Sequence, residues 1–112
     1  MNLLIRLIVA TLAVIISSWL LPGVHVNGIV TAIIVAIVLG FLNAFVKPVL
    51  TFLTIPITII TLGLFLLVIN VIIVYITDAL IAGFRVDGFL WALIFSFVVS
   101  IVGAILSSLF DD

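Results

Sequence analysis

Cysteine is absent from this 112-residue sequence, histidine occurs once, and charged side chains make up only 6% of the residues. Without cysteine there can be no disulfide framework, thiolate metal site or thiol nucleophile. No nucleophile–base pair, carboxylate dyad or phosphate-binding glycine motif occurs, and the lone His25 has no second ligand at metal-binding spacing. We therefore predict that the protein is not an enzyme and holds no cofactor and no metal ion. A net charge of −1 without a basic cluster gives no reason to expect nucleic acid as a partner.

Hydrophobic residues dominate what is present: they make up 69% of the chain, and its mean hydropathy is +1.86. About a quarter of the residues of a soluble domain are charged, so this sequence cannot cover a water-facing surface. We infer that its solvent is lipid. Because the apolar runs are long and continuous, and backbone groups in lipid must be paired within the chain, helices are predicted rather than barrel strands. The predicted fold class is all-α, a polytopic integral membrane protein.

Four apolar segments, at about 3–21, 29–46, 57–77 and 89–109, are each long enough to cross a bilayer. The first has the basic residue and apolar run of a signal peptide. Its core is too long for one, however, and no cleavage site follows, so we expect it to remain as a span. The sequence therefore predicts a single transmembrane domain over residues 1–112, with four transmembrane helices.

The two halves of the sequence repeat, so that Gly23 aligns with Gly83 and Gly28 with Gly88, a constant offset of 60 in the numbering. The pattern G-φ-x-V-[ND]-G, in which φ is apolar, thus occurs twice between consecutive spans. Two spans separate equivalent points, so both loops fall on the same face of the membrane. The predicted arrangement is two parallel-repeat helical hairpins.

Orientation follows from the few cations. Arg6 and Lys47 lie on the face shared by both termini, whereas Arg85 and the mostly neutral His25 lie on the other. The positive-inside rule then predicts a multi-pass protein with both termini in the cytoplasm.

Small residues recur at helical spacing in two spans, and close packing of helices in lipid depends on such residues. The predicted helix-packing residues are Ala32, Ala36, Gly40 and Ala44 in the second span, Ser96, Ser100, Gly103 and Ser107 in the fourth, and Gly63. Because Gly40, Gly63 and Gly103 fall at a similar depth, we expect a tight helix crossing there. The alternative is that alanine and serine are simply common in membrane spans.

The predicted intramembrane polar residues are Asn43, Asn70 and Thr61. Asn43 lies level with Thr61 near the cytoplasmic end, whereas Asn70 lies about 20 Å in from that side. The two asparagines are therefore not expected to pair, and each should bond a carbonyl or hydroxyl of a neighbouring helix. A pore-lining or substrate-contacting role is the alternative.

Pro48 and Pro56 are predicted hinges, because proline lacks an N–H donor and disfavours helix in the residue before it. Residues 48–55 should then form a short interfacial or kinked segment on the cytoplasmic side.

The predicted interfacial charges are Lys47, Asp78, Arg85 and Asp87. Asp78 is close in sequence to Arg85 and Asp87, so we expect an interfacial ion pair. A proton or ion relay through Asp78 is the alternative.

The stretch KPVLTFLTIPITIITLGLFLLVIN, followed by AGFRVDGF, resembles the bacterial four-helix membrane proteins grouped as the phage-holin-like, YvlD-like family. The residues that carry the resemblance are Lys47, Pro48, Pro56, Gly63 and Asn70, together with Gly83 and Gly88 farther along the sequence. The resemblance implies a small inner-membrane protein of four spans without catalytic residues.

Together these features predict a protein in contact with membrane lipid that forms a homo-oligomer through its helix faces. The resemblance to phage holins implies membrane permeabilisation, whereas the shortage of polar side chains counts against a wide water-filled pore. The competing expectation is a structural or lipid-handling protein, or the subunit of a membrane-protein partner, without pore activity. A transporter is a third interpretation, but charged or discontinuous helices near the midplane would be usual for that class.

Overall fold

The computed structural model describes residues 2–110. Over this range the chain forms helices and one short sheet, with the bounds α1 Leu3–Leu20, β1 Val24–Val26, α2 Ile29–Phe41, α3 Lys47–Leu53, α4 Ile55–Ile60, α5 Phe65–Leu80, β2 Phe84–Val86 and α6 Phe89–Phe110. A π-helical turn, Leu42–Val46, joins α2 to α3 without interruption. We call the end of the bundle that carries β1 and β2 the strand end, and the opposite end, where α1 begins and α6 finishes, the terminal end.

Three helices are long and apolar enough to cross a membrane: Leu3–Leu20, Ile29–Leu53 and Phe89–Phe110. The apolar helix Phe65–Leu80 is shorter, with 16 residues. At 1.5 Å per residue it is about 24 Å long, against about 30 Å for the hydrocarbon core. The second helix, with 25 residues, is longer than the 29–46 segment predicted for it.

The third predicted span, 57–77, is not one helix. Leu62 adopts φ 57° and Gly63 φ 91°, both in the left-handed region. The N–H of Gly63 donates to the carbonyl of Thr58 (2.8 Å) and that of Leu62 to the carbonyl of Ile59 (3.1 Å), which is the Schellman pattern of a helix end. Helix α4 therefore finishes before this turn, and α5 begins only at Phe65. The hydropathy of the sequence does not reveal this break. The left-handed position at the helix end, which glycine usually takes, is occupied by the apolar residue Leu62.

Thr61 belongs to the same turn and links the two helices. Its hydroxyl accepts the N–H of Phe65 at 3.2 Å and donates to the carbonyl of Ile57 at 3.0 Å. The hydroxyl thus satisfies one of the first N–H groups of α5, which have no partner within that helix.

Helical structure passes through Pro48, where the sequence predicted a hinge. Proline in a helix lacks an N–H donor, and its ring clashes with the carbonyl four residues earlier. The π-turn widens the backbone just before Pro48, with the Lys47 N–H bonded to the carbonyl of Leu42, so the helix continues to Leu53. The chain leaves the helix at Thr54, and Pro56 lies in the first turn of α4.

The two glycine-containing loops of the repeat pair with each other as an antiparallel sheet. His25 lies opposite Arg85 at its centre. The N–H of Asn27 donates to the carbonyl of Gly83, and the N–H of Asp87 to the carbonyl of Gly23, both at 2.8 Å. The donors of these two bonds are equivalent positions of the repeat, and so are the acceptors, so the loops make the same contacts with each other.

Gly23 and Gly83 each lie beneath a side chain from the first turn of a helix in the other half. Trp91 covers Gly23, and a Cβ there would overlap the indole ring. Thr31, the counterpart of Trp91 in the repeat, covers Gly83, where a Cβ would lie 2.8 Å from Oγ1 of the threonine. The repeated glycines are therefore places of close approach between the halves.

Helices α1 and α5 each pack against both α2 and α6, so α2 and α6 lie diagonally across the bundle. The buried core is concentrated toward the strand end, where the rings of Phe84 and Phe95 lie 5.4 Å apart. Helix α6 has no buried residue between Phe95 and Phe110. The bundle is thus closely packed at the strand end and open at the terminal end, while its outer surface is covered by exposed leucine, isoleucine, valine and phenylalanine.

Candidate functional site

A cavity that contains polar side chains occupies the open end of the bundle and has two lobes. The first lobe, of about 300 Å³, lies between α1, α2 and α6. The second lobe, of about 140 Å³, lies between α2, α5 and α6. Both are lined by Leu39, Asn43, Val99 and Ser100, so the two lobes meet between α2 and α6.

The lobes correspond to each other in sequence. Apart from Phe95, each residue that lines the second lobe is the repeat counterpart of a residue that lines the first. Asn70 corresponds to Ala10, and Lys47 to Ser107. The two halves therefore contribute the same surfaces to the cavity but different side chains, and the second lobe is the more polar of the two.

Polar side chains line the cavity from its mouth to the middle of the bundle. At 1.5 Å per residue, Lys47 lies about 27 Å along its helix from the strand end, and Arg6 and Asn43 about 21 Å. Asn70 and Ser100 lie deeper, at about 15 Å, near the centre of a bilayer whose core is about 30 Å thick.

The placement of Asn70 corrects the sequence prediction that separated it from Asn43. That prediction counted the depth of Asn70 from Pro56. Because the third span begins at Phe65, Asn70 is only about 7.5 Å along α5. Asn43, in the π-turn, and Asn70 both line the second lobe.

Hydrogen-bond donors dominate the polar part of the lining. Between residues 2 and 110, no hydrogen bond or ion pair involves the side chains of Arg6, Lys47, Asn43 or Asn70. The hydroxyl of Ser100 donates to the carbonyl of Ser96 in its own helix (2.8 Å). No carboxylate from the described part of the chain lines either lobe. The cavity thus carries two cations and two amides, and the described acidic groups lie elsewhere.

The core closes the cavity toward the strands. Leu39, Phe95 and Val99 line its inner part, and the fully buried Val35 and Ile69 belong to the same core cluster. The cavity is therefore accessible from the terminal end and blocked by apolar side chains at the other.

The small-residue stripes line this cavity and do not make a tight crossing within the subunit. Gly40 and Gly63 have no atom within 4 Å of an added Cβ, and the nearest atom to one on Gly103 is Ala13 Cβ at 3.9 Å. The expected crossing is absent because α2 and α6 are diagonal, and because Gly63 lies in a turn.

The remaining stripe residues divide between the core, the cavity and the outer surface. Ala32 and Ala36 are buried, with Ala36 also at the edge of the first lobe, while Ser96, Ser100 and Ser107 line the cavity. Ala44 lies outside, in a groove of about 590 Å³ between α1 and α2. Their predicted role in packing between subunits stays a prediction.

The charged residues at the strand end form a small exposed cluster. His25 Nε2 lies 2.8 Å from Asp87 Oδ2, and Arg85 Nε lies 3.4 Å from Asp87 Oδ1. The hydrogen bond with His25, together with the charges of His25 and Arg85, lowers the pKa of Asp87 below its ordinary value.

Asp78 does not join this cluster, although the sequence grouped it with Arg85 and Asp87. Its carboxylate accepts the backbone N–H of Val86 at 3.0 Å and so holds β2 against the end of α5. The contact between His25 and Asp87 was not anticipated, because it depends on the pairing of two loops from different halves of the chain.

These features define the protein as a helical multi-pass membrane protein with a cavity that opens at one end of the bundle. The family described as "Mycobacterial 4 TMS phage holin, superfamily IV" matches residues 1–105, and the chain belongs to this family. The family description gives four transmembrane segments, one more than the helices of full membrane-spanning length, which makes the shorter α5 the fourth.

Two uncharacterized relatives are similar along most of their length. Protein SCO3922 of Streptomyces coelicolor is 37% identical over 121 residues, which cover 99% of this chain and 97% of the relative. The membrane protein YvlD of Bacillus subtilis is 37% identical over 92 residues, covering 79% of this chain and 77% of YvlD. No solved structure matches the fold.

Proposed function

We propose that the protein is a non-enzymatic component of the bacterial cytoplasmic membrane that acts by associating with further copies of itself. Its two helical hairpins are parallel repeats, and both termini are cytoplasmic. The recurrence of the same backbone bonds at equivalent positions of the two halves supports the repeat. Arg6 and Lys47 at the terminal end, against Arg85 at the strand end, support the orientation.

The outer surface of the bundle is the observation that carries this proposal. It is apolar on every helix, and it contains a groove of about 590 Å³ between α1 and α2, where Gly40 and Ala44 leave a gap among larger residues such as Leu7 and Phe41. Small residues let helix backbones approach closely in lipid, where no hydrophobic force brings helices together. A second copy of the chain is the occupant that we propose for this groove.

The same surface argues against a wide water-filled lesion. A hole bounded by the outer faces of several subunits would expose leucine and phenylalanine side chains to water. Polar side chains instead line the cavity between the helices of one subunit, and the core closes that cavity at the strand end. We propose oligomers that do not release large solutes. The second candidate, membrane permeabilisation, is favoured by the description of the family as phage holins.

One experiment separates the two functions. The protein is reconstituted in vesicles loaded with dyes of increasing size, then cross-linked. We expect cross-linked oligomers without release of the larger dyes. Release that rises with protein density would instead support permeabilisation, and a strictly monomeric protein at high density would eliminate both candidates.

A matched pair of variants tests the groove itself. Ala44→Ile adds bulk to the groove without touching the cavity, whereas Ala104→Ile makes the same change at the equivalent position of the second half, which is exposed on α6. We expect oligomers to be lost only in Ala44→Ile, with helicity unchanged by circular dichroism. Equal loss in both variants would contradict the choice of this groove.

A further inference from the structure

We infer that the two-lobed cavity is a binding site for an anionic group of the phosphate class, entered from the terminal end. The first lobe is small for a ligand pocket, at about 300 Å³, so it suits a compact head group rather than a large molecule.

The charge of the lining selects the ligand. Arg6 lines the first lobe and Lys47 the second, and Asn43 lies on both. A cation within or at the edge of the hydrocarbon is costly unless it is paired or hydrated, so a site that places two cations there favours an anion. The carboxylates of Asp78 and Asp87 are at the strand end, too far away to neutralise the two cations of the cavity.

The hydrogen-bonding groups are those that phosphate oxygens require. Arginine presents several N–H donors in a planar fork, lysine presents an ammonium group, and each asparagine adds an N–H₂ donor. The side chains of Asn43 and Asn70 are not engaged with another residue between 2 and 110, so their donors are available to a ligand. Charge-assisted bonds of this kind are roughly twice as strong as neutral ones.

The depth of the cations fits an anion held at the membrane surface. Lys47 lies about 27 Å along its helix from the strand end, close to the level where the hydrocarbon ends and phosphate groups begin. A lipid phosphate can therefore approach Lys47 laterally, and a free phosphate can enter from the aqueous side. Both sources share the same chemistry, and the experiment must distinguish them.

The sequence also contains its own competing anions. Asp111 and Asp112 follow directly after α6, outside the described residues. Their carboxylates are also oxygen anions, so the test includes the double variant Asp111→Asn with Asp112→Asn.

The test measures binding to purified protein in two arms. In the first, inorganic phosphate is titrated into protein in a non-ionic detergent, followed by phosphorus NMR line broadening and by the shift in thermal unfolding. In the second, unfolding is compared in nanodiscs of phosphatidylcholine with and without a minor fraction of phosphatidylglycerol. Binding in the first arm identifies free phosphate as sufficient, and binding only in the second identifies a lipid head group.

The variants locate the site. Arg6→Gln combined with Lys47→Gln should weaken binding by about tenfold or more. Asn70→Leu should also weaken binding, although it keeps both cations. Because leucine is well tolerated in a membrane helix, this variant provides the test if the double variant folds poorly. Arg85→Gln, at the strand end, removes a cation outside the cavity and should leave binding unchanged. Replacing the two terminal aspartates should raise the apparent affinity or leave it unaltered.

Two results would overturn the inference: no binding of either probe to the wild type, or equal weakening by Arg85→Gln and the cavity variants. The measurement is made on dispersed protein, so it is independent of the oligomerisation test. Loss of oligomers with intact binding, or the reverse, would reject one proposal and leave the other standing.

Discussion

Replacing Gly23 by alanine tests the closest approach between the two halves of the chain. The added Cβ would overlap Cγ and Cδ2 of Trp91, atoms at the root of the indole ring that cannot move away without shifting the start of α6. Extra bulk in a well-packed interior typically costs about 1 to 3 kcal/mol. We expect Gly23→Ala to lower the free energy of unfolding by an amount in this range, measured by titration with a denaturing detergent and followed by circular dichroism.

The structure supplies both a rescue and a control for this variant. Threonine takes the place of tryptophan above Gly83, where it would lie 2.8 Å from an added Cβ, so Trp91→Thr should relieve part of the overlap at Gly23 and recover part of the lost stability. The coupling energy of the two changes should fall within about 0.5 to 3 kcal/mol. Gly28→Ala is the control: it meets no atom within 4 Å, but its φ of 92° strains any side chain, so Trp91→Thr should not rescue it. A Gly23→Ala protein as stable as the wild type, or one that Trp91→Thr fails to rescue, would refute the argument.

The remaining predictions concern pH, topology and the turn between α4 and α5. Because the folded pKa of Asp87 is depressed below 3.8, chiefly by its hydrogen bond with His25, its contribution to stability is present above that pH and is lost as the pH falls through the lower, folded value. Acid unfolding curves of the wild type and Asp87→Asn should therefore differ above this window and converge below it. Asn27→Cys should react with an impermeant thiol reagent from outside intact cells, whereas Asp112→Cys should react only after lysis; the opposite pattern would reverse the proposed orientation. Leu62→Gly should raise the free energy of unfolding by about 0.5 to 1 kcal/mol, because relief of the left-handed conformation outweighs the entropy cost of glycine, and a loss of stability would contradict this.

Hydropathy located the membrane helices well where apolar runs and helices coincide. Helix α1, Leu3–Leu20, and α6, Phe89–Phe110, lie within a residue of the predicted bounds, because the apolar runs are bounded in the sequence by Asn2 and Pro22 and by Gly88 and Asp111. The turn at Leu62 and Gly63 was missed, because it is built from residues that are as apolar as the helices beside it. The wrong start of the third span then displaced Asn70 in depth and hid its place beside Asn43.

The cavity could be predicted only in part. The repeat between the halves and the small-residue stripes were visible in the sequence, and most of those residues line the cavity. Spacing along a helix shows which residues share a face, but not whether that face meets a neighbour or a space. The diagonal placement of α2 and α6 decides this, and that arrangement of helices cannot be read from the spacing of residues along either helix.

The register of that small sheet puts His25 and Arg85 in a position unlike any other in the chain. An antiparallel pair of equivalent segments has one place where a residue meets its own counterpart, and here it is the pair His25 and Arg85. In an assembly of two identical hairpins this place would hold the same residue twice, and two arginines there would repel each other across the ladder. Covalent linkage of the hairpins removes that constraint: an imidazole can face the guanidinium, and Asp87, whose counterpart is the uncharged Asn27, contacts both. Fusion into one chain thus permits a charge arrangement that an exact two-fold axis forbids.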